Sequence, residues 1–147
     1  MAAGEFHERG EAVRRAVLGD AHVDQSTWNA TEFNAPFIDY LNRGAWGQVW
    51  ARPGLDRRTR SMLTLALLTA LRCEEELALH VAAAVRLGVR PAQIREVLLH
   101  SAVYAGAPAG NAAFAVAQRV LSELGVDLDS VDRTDTAADT DTDGAGG

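Results

Sequence analysis

Cys73, Glu76 and His80 fall within one short stretch, CEEELALH, at spacings of three and four residues. If that stretch is helical, the three side chains share nearly one face. A carboxylate beside an imidazole fixes its tautomer and raises its pKa, which suits a proton donor working near neutral pH. The plainer reading of Glu76 and His80 is a surface i, i+4 pair, worth about 0.2–0.5 kcal/mol to the helix. Cys73 is the only cysteine. Disulfide exchange needs a second sulfur, and the position one turn on is Glu76, so thiol chemistry is disfavoured. A free cysteine most often packs as a small apolar side chain.

A second concentration lies in WARPGLDRRTR, which carries Arg52, Arg57, Arg58 and Arg60 within nine positions. Arg52 follows Trp50 and precedes Pro53, so packing would limit its motion and favour a fixed contact to an anion. Arg60 is one turn from Asp56; it serves either as a second anion contact or simply as that residue's partner. Arg57 and Arg58 are expected to face solvent or a partner. All fourteen cationic side chains are arginine and none is lysine. Schiff-base chemistry is thereby excluded, while bidentate carboxylate recognition remains available.

The other reactive residue types are dispersed. His7, His22 and His100 form no ligand spacing for a metal. His100, among Leu98, Leu99 and Val103, reads as a hydrogen-bonded helix residue. No G-x-S-x-G elbow, dinucleotide fingerprint or phosphate loop occurs.

Helices must position these groups. Six follow from the 3.6-residue period and from the glycine and proline punctuation. They cover about Glu5 to Leu18, Thr31 to Trp46, Asp56 (as cap) to Arg72, Glu74 to Leu87, Pro91 to Ala105 and Pro108 to Leu124. An irregular GQVWARPG follows the second, and the third places Leu63, Leu67 and Leu71 along one face. The fold class expected is all-α, with one domain over residues 1–127. Residues 129–147 hold six aspartates and one arginine, or −5 of the net −6; residues 128–147 are therefore expected to be a disordered acidic tail. The rest is nearly neutral, which gives no footprint for nucleic acid. No apolar run of 18 residues exists, so no membrane partner is expected and the chain reads as soluble and cytoplasmic. Alanine-rich stretches such as HVAAAVRL give wide apolar faces that suit burial against another subunit.

Four segments in order, RGEAVRRAVLGDAHVD, AWGQVWARPGLDRRTRSMLTLALLTAL, EELALHVAAAVRLGV and IREVLLHSAVYAGAPAGNAAFAVAQ, resemble the carboxymuconolactone decarboxylases. The likeness runs from about Arg9 to Gly125. It implies an alkylhydroperoxidase-like helical fold in a ring-like homo-oligomer, expected as a hexamer. It also implies cofactor-independent decarboxylation of 4-carboxymuconolactone to β-ketoadipate enol-lactone in protocatechuate catabolism. Peroxidase relatives carry C-x-x-C-x-x-x-H on the corresponding helix; His80 fits that histidine, and Glu76 stands at the second cysteine.

The implied substrate is an unsaturated lactone bearing one carboxylate on the ring and another on an acetate arm. Its ring double bond and carbonyl accept the electrons left by departing carbon dioxide, so no metal or organic cofactor is required. Three tasks fall to the protein. Arg52, or secondarily Arg60, would anchor the acetate arm; Trp46 and Trp50 would wall a dry place for the leaving carboxylate; His80, oriented by Glu76, would protonate the dienolate. The alternatives are a thiol-dependent peroxidase or disulfide reductase of the same fold, and a non-catalytic oligomer that binds a small acid. The sequence assigns no role in the reaction to Cys73, His100, Tyr104 or Asn111.

Overall fold

A computed structural model describes residues 3 to 133. Their regular structure is all helical, with no strand among them, in agreement with the all-α expectation. By its internal contacts the chain divides into two compact units, Met1–Arg60 and Ser61–Gly147.

The first unit contains α1 (Ala3–Leu18), α2 (Asp20–Trp28), α3 (Ala35–Tyr40) and a π-helical segment, Leu41–Trp50. Helix α1 packs against the π segment, and glycine sets the distance between them. A Cβ on Gly10 would stand 1.8 Å from the Asn42 carbonyl oxygen, and one on Gly47 would stand 2.3 Å from that of Phe6. No side chain of any kind fits at such separations. Beside this contact lies Arg14, 6% exposed, donating to Asn42 Oδ1 at 3.3 Å and to Ser26 Oγ at 3.0 Å. Burial lowers its pKa. These neutral partners satisfy two of the guanidinium's donors while Val13, Val17 and Val23 bury apolar area from α1 and α2.

Two boundaries differ from those expected. Helix α2 was not anticipated, because AHVDQSTWN buries only Val23 and shows no apolar period. The segment from Thr31 to Trp46 is two elements, α3 and the wider π turn, and Gly47–Trp50, expected to be irregular, belongs to the latter. The Ala51 N–H bonds the Trp46 carbonyl at 3.0 Å, five residues back, and thus closes the π pattern.

Helix α4 (Arg57–Ala70) starts at Asp56, whose Oδ1 accepts the Thr59 N–H at 2.8 Å. That bond lowers the Asp56 pKa by stabilising the carboxylate. In the second unit α4 is followed by α5 (Glu74–Arg86), α6 (Pro91–Ala105) and α7 (Ala107–Glu123). Leu65, Leu77, Val81, Ile94, Leu98, Ala113, Ala117 and Leu121 make one core cluster from all four helices. Burial of each large aliphatic side chain there stabilises by about 1.5–3 kcal/mol. Leu63, Leu67 and Leu71 do share a face, but it is the exposed one; the core face is Ser61, Leu65 and Thr69. The small hydroxyl residues allow close approach, and Thr69 Oγ1 donates to its own helix at the Leu65 carbonyl, 2.8 Å away.

Three helix ends in this unit close in the same way. The N–H of Val89 reaches the Ala84 carbonyl at 2.9 Å, that of Val126 reaches Leu121 at 3.0 Å, and that of Cys73 reaches Leu68 at 3.0 Å. Gly88 and Gly125 supply the left-handed residue at two of them, with φ of 84° and 81°. At the third the residue is Arg72, with φ 60°. Beyond α7, Leu128 packs against the core and Asp132 accepts both Nη groups of Arg95, at 2.9 and 3.2 Å. The acidic tail expected from residue 128 is thus held in place as far as these contacts; residues 134–147 lie outside the described residues.

Candidate active site

In the first unit the sequence-predicted residues Trp46, Trp50, Arg52 and Arg60 cluster at the end of the π segment. Trp46 is 6% exposed and Trp50 half-buried, with ring centroids 5.0 Å apart and planes tilted by 33°. The buried π turn fixes one ring and the contact fixes the other, which gives an apolar aromatic wall. The chain then turns at Ala51 and Arg52. The Arg52 N–H bonds the Val49 carbonyl at 3.1 Å, and its own carbonyl accepts Arg60 Nη2 at 3.3 Å. Arg52 itself is exposed. The Asp56 carboxylate, a proposed partner for Arg60, accepts the Thr59 N–H and lies beside Arg58.

Arg9, which sequence reasoning passed over, belongs to this cluster. It reaches from α1 to donate to the Ala51 carbonyl. No local signal could have found it, since 42 residues separate the two. A carboxylate-imidazole pair also joins distant positions here: His7 Nδ1 lies 2.9 Å from Asp39 Oδ1, and Asp39 is paired with Arg43 as well.

In the second unit Glu76 and His80 both lie on α5, one turn apart, with Glu76 exposed and His80 half-buried. Leu77 and Val81, 1% and 0% exposed, anchor the helix between and beyond them, so His80 sits where the core gives way to the surface. Glu74, Glu75 and Glu76 occupy the first turn of α5, the end at which negative charge is favoured by the helix dipole. Cys73 precedes that turn, half-buried, with Sγ 3.7 Å from the Leu71 carbonyl. His100 and Tyr104 are both exposed on α6, with ring centroids 5.3 Å apart. Asn111 lines an open groove with Ala102, Pro108 and Phe114. Among the described residues no group of three or more His, Cys, Asp or Glu side chains is arranged to hold a metal ion.

The model of the carboxymuconolactone decarboxylase family matches residues 35–119, from α3 through most of α7. Over 127 residues the chain is 43% identical to the 4-carboxymuconolactone decarboxylase of Acinetobacter baylyi, a span that covers 86% of this chain and 95% of that protein. This chain belongs to the carboxymuconolactone decarboxylase family. A second relative is the nitrosuccinic acid decarboxylase of Metarhizium robertsii, 42% identical over 124 residues, covering 82% of this chain and 87% of that one. A 4-carboxymuconolactone decarboxylase of Pseudomonas putida is 46% identical over 41 residues, 28% of this chain and 85% of that protein. The family match takes in Trp46, Trp50, Arg52, Arg60, Glu76 and His80 and leaves Arg9 outside it.

Proposed function

We propose that this chain is a cofactor-independent carboxy-lyase that converts 4-carboxymuconolactone to β-ketoadipate enol-lactone. The observation that carries this reading is the 43% identity with the A. baylyi decarboxylase over 86% of this chain. Loss of carbon dioxide from the ring carbon leaves an electron pair that moves through the ring double bond into the lactone carbonyl. The resulting dienolate takes a proton at the ring carbon next to that carbonyl. Arg52 anchors the acetate arm, Trp46 and Trp50 keep water from the leaving carboxylate, and His80 delivers the proton with Glu76 as its orienting carboxylate.

The nitrosuccinic acid relative supports the same chemistry in a more general form. In both acids the carbon that loses carbon dioxide also bears a CH2-carboxylate arm. In both, an oxygen-terminated group of the substrate itself receives the electrons, a nitro group in one and a conjugated lactone in the other. A protein in this family therefore needs an anchor for the arm and a proton donor, and the substrate brings the electron sink. Carbon dioxide release from each acid, compared as kcat/KM, tests the assignment. The lactone should be preferred by at least roughly tenfold, about 1.4 kcal/mol in the transition state; preference for nitrosuccinate would move this chain to the other substrate.

The assembly is a homo-oligomer, expected as a hexameric ring working in the cytoplasm. The exposed Leu63 and Leu67 of α4, Leu71 just after it, and Leu99, Val103 and Tyr104 of α6 support association, since such faces are uncommon on a lone protomer. No described helix is long and apolar enough to cross a membrane. A thiol peroxidase reading has no support in the relatives, and the single Cys73 leaves no resolving sulfur.

A further inference from the structure

Side-chain packing in the second unit leaves a gap between α6, α7 and the chain that follows α7. It is a cavity of about 120 Å³. Leu98 and Leu121, 1% and 6% exposed, line it from the two helices together with the ring of Phe114, and Leu128 and Val131 line it from the segment beyond α7. Its polar lining residues are Arg95, half-buried, and Gln118, exposed, so polarity is confined to its mouth. Walls of this kind offer a water molecule too few partners, and an apolar cavity of roughly 150 Å³ is known to stay dry and to admit benzene. An empty gap forfeits dispersion contacts that a ligand of the right size restores.

The covering segment, residues 126–133, is folded by its own short-range bonds. Asp127 accepts the Asp129 N–H at 3.1 Å and the Ser130 hydroxyl at 2.8 Å, and the Arg133 N–H reaches the Ser130 carbonyl at 3.0 Å. Asp132 ties the segment to α6 by accepting Arg95 Nη2 at 2.9 Å and Nη1 at 3.2 Å. Both side chains reach solvent, 39% and 73% exposed, so the tie is weak and is screened by salt. Arg95 Nε also donates to Glu96 at 3.2 Å. All three guanidinium nitrogens therefore face carboxylates, and an anionic ligand would find that charge already neutralised.

We propose that this cavity binds a small uncharged ring of about the size of benzene, and that residues 126–133 are its lid, latched by Arg95 and Asp132. The ring packs on Phe114 and on the aliphatic walls, and it enters when the latch parts. The same walls reject a doubly charged lactone, so the site is separate from decarboxylation and stands whether or not that reading holds.

Fluorobenzene is the probe, titrated into the full-length protein and followed by fluorine NMR, with benzoate as the charged control. Saturable binding of fluorobenzene and none of benzoate is expected. Ala117→Leu fills the cavity from α7 and Val131→Phe fills it from the lid; each should weaken binding by at least roughly tenfold. Thermal melting accompanies both variants, and if Ala117→Leu does not fold, Val131→Phe decides. Asp132→Asn should speed dissociation by about threefold, and raised salt should do the same to the parent but not to this variant. No saturable binding, or binding that survives substitution in a folded variant, overturns the site. Benzoate bound as well as fluorobenzene overturns the uncharged ligand, and a dissociation rate unchanged in Asp132→Asn overturns the latch.

Discussion

His80 is the residue on which the proposed chemistry depends most, because no other group is assigned the proton that completes the reaction. Its place beside the buried Leu77 and Val81 gives it a fixed helix and a boundary position, partly out of water. His80→Gln keeps a hydrogen-bonding side chain but cannot deliver a proton. Turnover should fall by at least roughly 10²-fold with little change in KM; near-normal turnover would remove His80 from the role. That Glu76 and His80 share one helix, a turn apart, was legible in the sequence because the helix fixes their spacing. Arg9 was not, because its contact with Ala51 exists only once α1 and the π segment have packed. Arg72 makes a different prediction at this scale. A left-handed backbone costs a residue with a Cβ about 1–2 kcal/mol, a penalty that Gly88 and Gly125 avoid at the equivalent helix ends. Glycine loses more freedom on folding, so Arg72→Gly should gain a net of about 0.5–1 kcal/mol by denaturant melting. A loss of stability would mean that the Arg72 side chain, 3.6 Å from Glu74, contributes more than the strain.

At the scale of elements, the contact between α1 and the π segment carries the Trp46–Trp50 wall and the Arg52 turn. Gly10→Ala would drive a methyl into the Asn42 carbonyl and force the two backbones apart, at a cost of about 3 kcal/mol or more. Thermal melting should show the loss, together with a weaker tryptophan dichroism; an unchanged midpoint would contradict the packing described. Helices α5 to α7 could be read directly from the chain, since their caps and stops are Pro91, Gly88, Gly106 and Gly125 and their apolar period is regular. The first sixty residues were harder for identifiable reasons. Helix α2 carries almost no apolar signal, and a π segment does not keep the 3.6-residue period on which such a reading depends. The leucine face of α4 was legible from its spacing, and the structure shows it exposed, with Ser61, Leu65 and Thr69 on the core side.

For the molecule as a whole, the chain contains no lysine, and the substrate class supplies its own electron sink. The central claim is therefore that chemistry resides in the substrate while the protein binds an arm and places a proton. Carbon dioxide release from freshly generated 4-carboxymuconolactone in D2O, with no metal, thiol or cofactor added and the product examined by NMR, tests this most directly. The account predicts release with formation of β-ketoadipate enol-lactone carrying one deuteron at the ring carbon next to the carbonyl. No release by the folded protein, or deuterium at the carbon that lost the carboxylate, would contradict it.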